Sequence, residues 1–122
     1  MQQGAQAYGA IAKKTASPRE LEANLLLKAA ARLQSVRDGW EERHSSELES
    51  ALLYNRKLWS IFVTSATSPE NPLPANVRQN VANLGLFVLK HTLTVLASPK
   101  PENLHSLINI NREVAAGLLG RA

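Results

Sequence analysis

The chain contains no cysteine, which excludes a disulfide framework and a thiolate metal site and is compatible with a reducing compartment. Histidine is almost as scarce: His44, His91 and His105 lie far apart, with no second ligand at helical spacing, so a zinc-type centre has no donor set. Aromatic residues make up only 5% of the chain, and no stacking cluster for nucleic-acid bases can be assembled from them. Glycines are few and do not form a phosphate loop. The longest apolar region, Leu84 to Ala97, is interrupted by Lys90 and His91, and the first sixteen residues lack the continuous apolar centre of a signal peptide, so no membrane insertion is expected. The carboxylates Glu41, Glu42, Glu47 and Glu49 flank a helix start, where the macrodipole accounts for them. No cofactor site and no catalytic constellation emerges, and the expectation is a protein that is not an enzyme.

What is present is a chain of 122 residues, 44% hydrophobic and 20% charged, the composition of one globular domain able to bury roughly 65 to 70% of its unfolded surface. The net charge is +4, but lysines and arginines are scattered along the whole length. Scattered charge steers partners and solvates a surface; it argues against direct RNA binding.

Three Ser-Pro pairs, at 17–18, 68–69 and 98–99, stand where apolar periodicity stops or starts. The expected fold is all-α, a single-domain bundle of about five helices with no sheet over residues 1–122. Ser17, Pro18 and Glu20 make a capping box, so the first long helix runs from 18 to 37, ended by a left-handed Gly39. Ser46 with Glu49 offers a second cap, for a helix over 46–66. Pro74 opens a helix to 97, and Pro101 opens one to 119 that stops at Gly120. Residues 3–14 suggest a short N-terminal helix, weakened by Gly4 and Gly9.

Projection at about 100° per residue gives the faces. Leu21, Leu25, Ala29, Leu33 and Val36 form one core stripe. Leu48, Ala51, Leu52, Leu58, Trp59, Phe62, Val63 and Ala66 form a second, with Trp59 as its anchor and Asn55 in its middle. Leu104, Leu107, Ile108, Val114, Ala115 and Leu118 form a third, with Asn111 in its middle. The segments A-L-L-Y-N-R at 51–56 and L-I-N-I-N-R at 107–112 align locally, each with arginine after asparagine. A buried amide without partners costs on the order of 1 to 3 kcal/mol. Asn55 and Asn111 therefore either fix helix register within the core or bond the backbone of a bound partner. The helix over 74–97 carries two apolar faces, and the second, Leu86, Leu89, Leu93 and Leu96, is a candidate partner surface. Trp40 and Tyr54, residue types that interfaces favour, and Arg112 complete the candidate contact set.

The segment S-P-E-N-P-L-P at 68–74 removes three backbone donors and restricts the residues before each proline. It reads as a stiff connector, with Leu73 pressed inward between Pro72 and Pro74.

Five segments, S-P-R-E-L-E (17–22), A-L-L-Y-N-R-K-L-W (51–59), S-P-E-N-P-L-P (68–74), N-L-G-L-F-V (83–88) and I-N-R-E-V-A-A-G-L (110–118), together resemble the flagellar biosynthesis regulator FlaF family of alphaproteobacteria. The resemblance implies a small cytoplasmic helical protein needed for flagellin production and export, acting on flagellin and with the companion regulator FlbT. Two mechanisms fit that role. One is a secretion chaperone that holds a flagellin helix in an apolar groove before export. The other is a post-transcriptional regulator of flagellin synthesis, acting through FlbT or flagellin messenger RNA. The second apolar face at 86–96 favours the first.

Overall fold

The computed structural model describes residues 17–121. The short N-terminal helix expected over 3–14 lies outside the described residues. Within them the architecture is all-helical: α1 Pro18–Asp38, α2 Trp40–Ala66, α3 Ala75–Ala97, a 3₁₀ turn Pro101–Leu104 and α4 His105–Leu118.

α1 begins where the capping box placed it. Ser17 is extended, its hydroxyl accepts the Glu20 amide at 3.1 Å, and Pro18 takes the first helical position. Its buried face is different from the expected stripe. Ala23, Leu26, Ala29, Ala30, Leu33 and Val36 are buried, whereas Leu21 and Leu25 are 50% and 41% exposed. The reason is that α1 packs against both α2 and α4. Its core face is therefore wide and centred on Leu26 and Leu33, with Ala23 and Ala30 toward one neighbour and Leu21 and Leu25 beyond the edge.

α2 starts at Trp40, six residues before the expected Ser46 cap, and Gly39 is not left-handed, at φ −107° and ψ 39°. Hydrogen bonding simply passes through that glycine: its N–H donates to the Ser35 carbonyl at 3.1 Å and its carbonyl accepts from Arg43 at 2.9 Å. Glu41 and Glu42 then occupy the first turn of α2, where their charge suits the helix dipole. The reversal between α1 and α2 thus needs one residue rather than a loop. The expected core stripe of α2 is found, with Trp59 fully buried, except that Val63 is only half-buried at its edge.

The 67–74 connector is braced by Asn71, which sequence reading passed over. Its amide donates to the Ser65 carbonyl at 3.1 Å, and its side-chain oxygen accepts the Leu73 amide at 2.9 Å. Arg78 closes the loop by donating to the Ser68 carbonyl at 3.0 Å. Pro74 does not start the helix; it caps α3 with an extended ψ of 149°, and its carbonyl accepts from Arg78 at 3.0 Å. α3 returns against α2. The helix anticipated over 101–119 begins instead as the 3₁₀ turn, pinned where Asn103 donates to the Ser98 carbonyl at 3.0 Å and its own carbonyl meets His91 Nε2 at 2.8 Å. At the far end Gly120 takes φ 73°, and the Gly120 and Arg121 amides bond back to Gly117 and Ala116, a Schellman closure.

α3 approaches α2 through Gly85. A methyl group built there would sit 2.1 Å from Val63 Cγ2, and Val63, branched at Cβ, has little χ1 freedom on a helix. Gly85→Ala is therefore expected to cost about 2 kcal/mol, overpacking outweighing the gain of about 1 kcal/mol in helix propensity. Urea unfolding checks this, and adding Val63→Ala should restore most of the loss; an additive double variant would mean that the close approach is not the cause.

Candidate functional site

The predicted contact residues separate into three environments. Asn55 and Asn111 are both fully buried. Asn111 donates from its amide to Asn55 Oδ1 at 2.7 Å and to the Leu26 carbonyl at 3.2 Å, and its own oxygen accepts Trp59 Nε1 at 2.8 Å. The partner-binding alternative for these two amides is thereby replaced by the core one: they tie α1, α2 and α4 together and do not face outward. Asn55 Nδ2 has no partner, so the network is held by Asn111.

Trp40, Tyr54 and Arg112 belong to the joints between helices. Trp40 is half-buried against the core and stacks on His44 with ring centroids 4.8 Å apart. Tyr54 is half-buried beneath two cations of α1, Arg32 at 4.7 Å and Lys28 at 5.9 Å from its ring centre. Arg112 is exposed and donates to the Gln34 side chain, bridging α4 to α1. None of the three lies with the leucines of α3.

Those leucines do form one surface. Val88, Thr92 and Val95 are fully buried on one side of α3, while Leu86, Leu93 and Leu96 on the other are 53%, 59% and 37% exposed, with Leu89 half-buried between the two faces. Ala82, Leu86, Leu89, Leu93 and Leu96 follow one another at steps of four, three, four and three residues. That is the a/d pattern of a coiled-coil seam, narrower than the wide stripe of a helix lying on a core. The spacing was legible in the sequence; that the seam is left open required the structure. α3 also has the length and apolarity of a bilayer-spanning helix, but its Val88, Thr92 and Val95 face is buried in the bundle.

A second apolar feature was not anticipated. α3 and α4 touch each other only sparsely, and a cleft of about 410 Å³ opens between them. Leu73, Val77, Val81 and Leu84 line one wall and Val114 and Leu118 the other, with Arg19 at the rim. Leu73, expected as an inward plug, is half-buried here, and inside the cleft it meets a smaller hollow reaching Leu26, Phe62 and Glu22.

Burial pushes the Glu22 carboxyl above its ordinary value, against the opposing pull of Arg19. The folded state therefore holds this proton to higher pH than the unfolded chain, so stability from this group falls as pH rises from about 4. Glu22→Gln should raise the melting temperature at pH 7 and leave it unchanged near pH 3; equal gains at both would assign the effect to packing instead.

Among the described residues no cluster of His, Asp and Glu could hold a metal ion. His91 and His105 are engaged with the Asn103 carbonyl and the Asn109 side chain. The arrangement offers apolar surface at helical spacing. A family model described as flagellar protein FlaF matches residues 4–118. No curated protein and no solved structure matches the chain.

Proposed function

Because the chain belongs to the FlaF family of flagellar proteins, we propose that it binds flagellin in the cytoplasm as a secretion chaperone and thereby promotes flagellin production and export. The open seam of α3 is the observation that carries this reading. A heptad-spaced leucine ridge on an otherwise packed helix is what an amphipathic helix with its own apolar seam can cover. Flagellin's terminal helices have to be kept from associating with one another before export, and stoichiometric covering of such a helix would do that.

The energetics suit a holder that later lets go. Burying one leucine is worth roughly 1.5 to 3 kcal/mol, and association costs at least about 4 kcal/mol in lost freedom. Four leucines therefore support a complex of moderate strength, releasable at the export apparatus. The test is co-purification of full-length chain and flagellin, followed by measurement of the complex mass: a one-to-one complex supports the reading. If flagellin does not associate while FlbT or flagellin messenger RNA does, the regulatory alternative takes its place.

A further inference from the structure

The seam of α3 has α2 beside it. Gly85 of α3 lies against Val63 and Trp59 of α2, which fixes how the two helices are turned toward each other. On α3, the helical period puts Leu86, Leu89 and Leu93 to one side of Gly85 and the buried Val88 and Thr92 to the other. On α2 it puts Arg56, Lys57 and Ser60 to one side of Trp59 and the buried Asn55 and Phe62 to the other. Both buried sets enter the same core, so the two open sides make one outward face, with the leucine ridge running along α2.

The charge on this face has one sign. α3 returns along α2, and Lys90 lies as many residues after Gly85 as Leu58 lies before Val63. Lys90 therefore stands level with Arg56 and Lys57, on the opposite edge of the ridge at Leu89 and Leu93. All three cations are exposed, and none makes an ion pair among the described residues. No acidic residue follows Glu49 in α2, and α3 contains none. In paired helices the charges bordering an apolar seam choose the partner. A second copy of this face would set Arg56, Lys57 and Lys90 against like charges, which disfavours self-pairing.

We propose, resting on the reading of the seam as a partner surface, that it takes an amphipathic helix whose apolar stripe is bordered by glutamate or aspartate. One acidic row faces Arg56 and Lys57, and the other faces Lys90. The leucines supply the affinity, while the three cations select the partner, set its register and speed its arrival.

The test uses the full-length chain and two synthetic helical peptides of about three heptads, both with leucine at the seam positions, one with glutamate and one with lysine on both flanks. In ~0.05 M salt the glutamate peptide should bind at least ~10-fold more tightly. The gap should close to within ~2-fold in ~1 M salt, where screening acts beyond about 3 Å. Arg56→Glu, Lys57→Glu and Lys90→Glu together should reverse the preference, a result that unfolding cannot mimic because it would weaken both peptides. Leu86→Asp with Leu93→Asp should abolish binding of either. Equal affinities, an unreversed preference, or binding that survives the leucine changes overturns the proposal. So does a chain that binds neither peptide but dimerises through the seam or adheres to phosphatidylserine vesicles, since the occupant is then a second copy or a membrane. Flagellin is the independent arm. If the glutamate peptide behaves as stated and flagellin does not co-purify, the acidic-helix proposal stands and the flagellin reading falls. If flagellin binds through the leucines yet ignores both the charge reversal and salt, the flagellin reading stands and the acidic-helix proposal is overturned.

Discussion

Replacing Asn111 with leucine should remove about 3 to 5 kcal/mol of stability, although leucine is similar in size and more apolar. The loss is not the asparagine's own. Trp59 Nε1 loses its acceptor, and the Leu26 carbonyl and Asn55 Oδ1 lose their donor, all in the core. Each buried group left unpaired costs roughly 1 to 3 kcal/mol, and a domain has only about 5 to 15 kcal/mol in total. A melting temperature lowered by roughly 15 °C is expected on that scale. Trp59→Phe in the same background removes one of the stranded groups, so the two changes together should cost at least about 1 kcal/mol less than their sum. A single-variant loss below about 1 kcal/mol would show that the network does not hold the bundle together.

The second large effect is on binding. Leu86→Asp with Leu93→Asp should weaken the flagellin complex by at least ~100-fold, since central apolar anchors are commonly worth 2 kcal/mol or more each and 1.4 kcal/mol is a factor of ten. Both leucines are more than half exposed, so helical content should persist and stability should move by about 0.5 kcal/mol. A matched control, Leu21→Asp with Leu25→Asp, also introduces two charges at exposed leucines but on α1, away from the seam; it should leave binding intact. Equal loss in both variants would point to general apolarity or charge rather than to the seam, and undiminished binding in the α3 variant would remove the seam from the proposed function.

Several features could be read from residues alone because they depend on local chemistry. The start of α1 follows from Ser17, Pro18 and Glu20, whose capping geometry lies within one turn. The end of α4 follows from Gly120, the one described residue that needs positive φ. The α2 core stripe follows from the helical period, because one broad face of that helix is covered along its length. The joint between α1 and α2 was misread for the same reason that it is compact: Gly39 and Ser46 both carry boundary signals, and the hydrogen bonds through Gly39 leave no gap for the second to mark.

The candidate site divides in the same way. That α3 has two apolar faces, and which leucines form the second, is a property of periodicity and was determined by the sequence. Which face stays open is a property of neighbours. α1 is covered on two sides, so its expected stripe shifted; α3 is covered chiefly on one, so its seam remained in solvent. Asn55 and Asn111, 56 residues apart, are joined at 2.7 Å, and no rule of spacing along a chain says that two polar residues in separate apolar stripes will meet each other rather than a partner. The sequence by itself determined the all-helical class, the cap that starts α1, the glycine that ends α4 and the family. Only tertiary packing decided which amides are structural and which leucines are free, because burial depends on how helices distant in sequence share a core.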